Sequence, residues 1–182
     1  MSQGWKGLVI EATPANYVSI AENRPCAWRT ESAAGPDWGL VDFTGWGGCC
    51  SGMSAGMSEK FAATFHGRDA GKRMSYKVRQ APIVELMKAA GLGKVDFWSL
   101  DVEGAELFVL QGMDFSAVEV GMVMVEISET KEMAAKVEAV FIEEGFVRDE
   151  TFHSWNNLNA LYLNTRGEWG GAAAPGSWSW ES

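Results

Sequence analysis

The stretch that decides the fold is Val95–Gly112, VDFWSLDVEGAELFVLQG. Val95–Leu100 is apolar at nearly every position and rich in bulky residues. That is the composition of a short strand buried on both faces of a parallel sheet. Asp101 and Glu103 stand at its carboxyl end and Gly104 permits a tight exit. Ala105–Gln111 then reads as a helix that Gly112 stops. In open parallel sheets the ligand crevice lies outside the carboxyl ends of the strands, so these acids stand where chemistry is expected. A structural role competes with that reading. Asp101 can cap the helix, and Glu103 and Glu106 near its positive end each gain about 0.3–1 kcal/mol without any function.

Outward from this stretch, strands and helices alternate. Leu8–Ile10 is a short strand ending in Glu11, and Thr13-Pro14 places a capping residue before a proline at the first helical position, so a helix follows over Ala15–Asn23. Cys26–Arg29 reads as a strand, Glu31-Ser32-Ala33 as the entry to a turn, and Trp38–Phe43 as a further strand at an edge. Thr44–Ser58, with five glycines and no period, reads as a mobile flap or spacer that lacks the lysine of a phosphate-binding loop. Lys60–Lys77 has no assignable period. Pro82–Ala90 is a helix with Ile83, Leu86, Met87 and Ala90 on one face. Val118–Ile127 is a second apolar strand carrying Glu126 at its end. Lys131–Glu144 is an amphipathic helix capped by Thr130, with Met133, Val137, Val140 and Phe141 as its stripe. Phe146–Trp155 and Leu158–Asn164 then form an antiparallel hairpin across Asn156-Asn157. The pattern predicts a three-layer α/β domain over residues 1–165 with a mostly parallel sheet. Residues 166–182, rich in Gly, Ala, Ser and Trp, read as a disordered tail in which Trp169, Trp178 and Trp180 have little to pack against.

Composition narrows the function. The 182 residues include 47% hydrophobic and 21% charged, enough for one substantial core. A net charge of −9 with no basic cluster argues against nucleic acid and anionic membranes as partners. The three cysteines, Cys26, Cys49 and Cys50, have no metal-type spacing and read as reduced thiols. No run reaches about 18 apolar residues. The default expectation is a cytoplasmic protein without a membrane span. His66 and His153 fall in no motif.

The residues Val95-Asp96-Phe97-Trp98-Ser99-Leu100-Asp101-Val102-Glu103-Gly104-Ala105-Glu106, followed by Val109-Leu110-Gln111-Gly112-Met113-Asp114-Phe115 and later Val125-Glu126, resemble the signature of the FkbM family of methyltransferases. The upstream GWKGLVIEATPANYVSIAENRP is similar to that family's segment around its second strand, and the likeness extends over Gly4–Asn164. The resemblance implies a Rossmann-like fold with S-adenosyl-L-methionine as cofactor and methyl transfer to a hydroxyl oxygen of a small molecule, glycan or lipid. It implies that Glu11 accepts hydrogen bonds from both ribose hydroxyls, a task suited to two acceptor oxygens. It places Glu31 and Ser32 at the adenine, and Asp101 near the cofactor's methyl and the substrate as a cofactor-binding and catalytic acid. Glu103 is expected to be catalytic, as a base or positioner. No metal is expected, although Asp101, Glu103 and Glu126 could offer oxygens to a hard cation. The family's first strand and glycine-rich turn would precede Gly4, where only Met1-Ser2-Gln3 stand, so the chain reads as an amino-terminally truncated member. The alternative is a truncated, non-catalytic remnant, acting as an interaction module or without activity.

Overall fold

The computed structural model describes residues 6–45, 51–54, 74–127, 130–154 and 158–171. Most of the glycine-rich stretch, most of Lys60–Lys77, His66, Cys49, Cys50, the Asn156-Asn157 connection, and Trp178 and Trp180 lie outside the described residues. The chain divides into two compact units, one made of Met1–Gly91 and Glu103–Met113 and the other of Leu92–Val102 and Asp114–Ser182.

The first unit opens with a β–α–β element. Strand β1 (Leu8–Glu11) leads into helix α1 (Pro14–Asn23), which returns to strand β2 (Trp28–Glu31). The two strands are parallel and in register from Leu8 against Trp28 to Glu11 against Glu31. Thr13 is the N-cap residue and Pro14 opens the helix, as their side chains predispose, although the Thr13 hydroxyl makes no capping bond. Strand β2 starts two residues later than its sequence suggests, and Glu31 is its last residue instead of part of a turn.

A mixed sheet follows, in the order β3-β6-β4-β5, from β3 (Ala33–Gly35), β4 (Gly39–Gly45), β5 (Gly52–Met53) and β6 (Met74–Pro82). Only β3 and β6 are parallel; β4 runs antiparallel to both β6 and β5. Strand β4 is therefore flanked on both sides instead of lying at an edge, and two parts of the Thr44–Ser58 stretch read as a flap, Thr44-Gly45 and Gly52-Met53, are strand. In β6, exposed Lys77 and Arg79 alternate with buried Val78 and Gln80, the pattern of a sheet with one wet face. Helix α2 (Ile83–Ala89) leaves directly from Pro82 and ends before Gly91, whose φ is +71°. Helix α3 (Glu106–Gln111) belongs to this unit and lies on β3. A methyl group at Gly112 would strike the carbonyl of Gly35, and one at Gly35 would meet the Phe108 ring at 2.7 Å. These two glycines let helix and strand approach until their backbones nearly touch.

The second unit is a four-stranded sheet in the order β7-β8-β10-β9, built from β7 (Lys94–Leu100), β8 (Glu119–Glu126), β9 (Phe146–Arg148) and β10 (Asn159–Asn164). Strands β7 and β8 are parallel; β10 inserts between β8 and β9 and is antiparallel to both. The terminal hairpin pairs as the sequence suggests, with Tyr162 opposite Arg148. Strand β8 carries the doubly buried core: Val120 and Val123 are fully enclosed and Val125 nearly so, each worth about 1.5–3 kcal/mol of burial. Strand β7 does not. It is the outer strand, with Lys94, Asp96 and Ser99 exposed and Phe97 at 40% exposure. Helix α4 (Lys131–Glu143) is capped by Thr130, whose hydroxyl accepts the Met133 N–H at 3.3 Å. Its Phe141 stacks on Tyr162 at 4.5 Å between ring centroids and meets Phe115 and Phe146 edge to face.

The first residues of the stretch read as a disordered tail take regular form, since Gly167–Gly171 is a 3-10 turn. Trp169 lies over Gly121, where a side chain would leave no room for the ring. The Lys94 ammonium sits 4.6 Å from its centroid and pairs with Glu168. Trp169 packs because Gly121 provides a gap in β8, a pairing that local composition does not reveal.

The molecule is thus mixed α/β, but its described strands form three sheets instead of one mostly parallel sheet. Parallel pairing is confined to β1–β2, β3–β6 and β7–β8. The antiparallel pairing of β4 with β6 owes its strength to long-range partners, which neither segment shows alone.

Candidate functional site

Two groups of acids stand in the first unit, one at strand ends and one at the start of α3. The first is built by the β–α–β element. Glu11 closes β1, and the chain turns at once into α1, so its carboxylate folds onto the first turn of that helix. Oε1 accepts the Thr13 N–H at 2.7 Å and Oε2 faces the Asn16 amide nitrogen at 3.4 Å. The positive end of the helix favours a carboxylate there. Glu31, at the matching position of β2, leaves the ladder on the same face and is exposed. Ser32 is buried at 5% exposure; its N–H donates to the Glu11 carbonyl at 3.2 Å, and its hydroxyl lies 3.2 Å from that of Thr30. Glu11, Glu31 and Ser32, singled out separately in the sequence, therefore form one cluster along the ends of two neighbouring strands.

The second group is the turn before α3. Glu103 has a φ of +57°, the one positive value among the described non-glycine residues, and Gly104 follows at +95°. A left-handed glutamate is costly, about 1–3 kcal/mol, and such conformations persist where the surroundings impose them, often at functional sites. Glu106 helps impose this one. It is 1% exposed, and its Oε1 accepts the Gly104 N–H at 3.1 Å. Sequence reasoning leaves Glu106 without a role because it cannot tell a buried acid from a solvated one at a helix start.

Asp101 follows directly on β7 in the second unit. The cap reading fails for it, since the N-cap position of α3 is Ala105 and no side chain caps that helix. Asp101 is exposed and holds no hydrogen bond or ion pair among the described residues. Glu126, at the end of β8, borders a cavity of about 30 Å³ with Glu138, Arg148 and Tyr162, room for roughly one or two waters. Burial pushes the Tyr162 hydroxyl up to about 12, with Glu138 adding to the shift and Arg148 opposing it. His153 is exposed. Among the described residues, no group of three or more His, Cys, Asp or Glu side chains is placed to hold a metal ion, and no helix is long and apolar enough to cross a membrane.

Asn16 is the residue that sequence reasoning missed. A polar side chain in the first turn of a helix that follows an acidic strand end was the available signal, since side chains there face the residues preceding the helix. The cluster offers acceptors at the mouth of a β–α turn, the arrangement that suits a ligand presenting paired hydroxyl donors.

No curated protein and no solved structure matches the chain. The family model of the methyltransferase FkbM domain matches residues 1–152, which include both acid clusters and Asp101. With that match spanning most of its length, the chain belongs to the FkbM methyltransferase family.

Proposed function

We propose that the chain binds S-adenosyl-L-methionine and transfers its methyl group to a hydroxyl oxygen of a small molecule, sugar or lipid. The observation that carries the reading is Glu11. In a chain of this family, its carboxylate stands at the end of a parallel strand, is held by the turn that follows, and has Glu31 and Ser32 beside it. Each carboxylate oxygen retains a lone pair beyond its bond to Thr13 or Asn16, so acceptors remain for two ribose hydroxyls. Glu31 and Ser32 border the adenine side.

When bound, S-adenosylmethionine supplies an electrophilic methyl group on a sulfonium. The chain's own task is to orient the acceptor hydroxyl and take its proton as the new C–O bond forms. Asp101 and Glu103 are assigned to it. Asp101 is exposed at the end of the stretch that β7 opens, and Glu103 takes a left-handed conformation in the turn before α3.

Calorimetric titration with S-adenosylhomocysteine tests the cofactor assignment. One-to-one binding is expected, and Glu11→Ala should weaken it by about 1.5–3 kcal/mol, the worth of charge-assisted hydrogen bonds. Asp101→Asn should lower methyl transfer to hydroxylated acceptors more than it lowers stability. Undiminished affinity in a folded Glu11→Ala protein would remove the ribose assignment, and undiminished transfer in Asp101→Asn would remove Asp101 from catalysis.

A further inference from the structure

We propose that Asn16 is a positioning residue for cofactor binding, fixing the plane of the Glu11 carboxylate so that it discriminates in favour of ribose. The inference rests on the cofactor reading above and adds to it a second residue that sets specificity. The terminal torsion of a glutamate side chain is broad and roughly two-fold, so a carboxylate anchored through one oxygen can still swing its other oxygen. In this molecule Oε1 is anchored by the Thr13 backbone N–H at 2.7 Å, a bond any non-proline residue at that position would supply. The second constraint is the Asn16 side chain, half-buried in the first turn of α1, with Nδ2 at 3.4 Å from Oε2. Because a carboxylate offers only acceptors, the amide must present its nitrogen. Two donors on two different oxygens define the carboxylate plane. The remaining lone pairs then point in a fixed pair of directions, as neighbouring ribose hydroxyls require.

At 3.4 Å the contact is long for a hydrogen bond, so its contribution is one of orientation more than of folding. Its loss should therefore be felt in ligand selection. Asn16→Ala is also mild for the helix, since alanine is the better helix former.

The test is a double-mutant cycle read by calorimetry. The wild-type chain, Asn16→Ala, Glu11→Ala and the double variant are titrated with S-adenosylhomocysteine and with its analogue lacking the ribose 2′-hydroxyl. Asn16→Ala is expected to weaken S-adenosylhomocysteine binding about three- to tenfold, on the scale of one hydrogen bond. The loss for the 2′-deoxy analogue should be smaller, so the preference for ribose narrows while the melting temperature holds. In the Glu11→Ala background the same change should cost nothing further, because its effect passes through Glu11. Asn16→Asp, which sets a like charge against Glu11, should weaken binding more than alanine does.

An equal loss in both backgrounds, or equal losses for both ligands, would overturn the proposal. So would an unaltered Asn16→Ala protein in a series where Glu11→Ala does lose affinity, and in that case the cofactor reading would stand. Failure of the wild-type chain to bind S-adenosylhomocysteine, or full affinity in Glu11→Ala, would overturn the cofactor reading and the Asn16 role together.

Discussion

Glu106 is where the sequence and the geometry are most tightly bound. A carboxylate at 1% exposure is tolerable only when its oxygens are engaged, and the Gly104 N–H engages one of them. The bond closes the turn in which Glu103 takes its left-handed conformation. Glu106→Leu should lower stability by about 1–3 kcal/mol, because the Gly104 donor loses its acceptor. Glu106→Gln, which keeps a carbonyl oxygen in the same place, should lose less. Urea midpoints of the two variants decide this, and equal losses would mean that the bond to Gly104 contributes nothing. At this scale the residue types were legible and their environments were not. Asp101, Glu103 and Glu106 stand within six positions of one another, yet one is exposed, one is conformationally fixed and one is buried. Those differences come from Gly104 and from the packing of α3, which no pattern of acids encodes.

Among the elements, helices were read more accurately than strands, for a physical reason. A helix carries its own start and stop: Thr13-Pro14 for α1, Thr130 for α4, Gly91 after α2 and Gly112 after α3. These signals are local, so sequence shows them. A strand is completed by its partner. Strand β6 alternates in burial but not clearly in residue type, since polar Gln80 takes a buried position, and β7 reads as an interior strand because of its apolar run but lies at the outside of its sheet. The approach of α3 to β3 gives a test at this scale. Gly112→Ala would drive a methyl group into the Gly35 carbonyl and should cost about 1–3 kcal/mol as the helix shifts away. At Gly39 the added methyl has no atom within 4 Å, so Gly39→Ala should change stability by less than about 0.5 kcal/mol. Thermal melts of the pair report the contrast, and a silent Gly112→Ala would mean that α3 does not lie closely on β3.

For the molecule as a whole, the net charge of −9 is carried by the second unit, since acidic and basic side chains balance in the first, and the buried Tyr162 sets an alkaline limit. Its hydroxyl is raised to about 12, while an unfolded tyrosine titrates near 10. The folded state therefore holds the proton more tightly than the unfolded state. Its contribution is complete below pH 10 and falls as pH rises from 10 to 12. Urea midpoints across that range should drop, and Tyr162→Phe, which has no proton to lose, should show a shallower drop from its own starting point. Equal slopes would mean that other groups govern the alkaline limit. The family was legible from one motif and one upstream segment, whereas the division into three sheets was not, since it depends on which distant strands meet.

The two units are interwoven along the chain. The backbone passes from one to the other after Gly91, again after Val102 and again after Met113. No single cut yields either one intact. A fragment ending at Gly91 would carry Glu11, Asn16, Glu31 and Ser32 but would lack α3, leaving the Gly35 surface of β3 bare. A fragment beginning at Leu92 would carry the α3 residues with no β3 to receive them. Shortening the protein to a minimal ligand-binding piece therefore calls for splicing, with Gly91 joined to Glu103 through a designed linker, and not for truncation from either end.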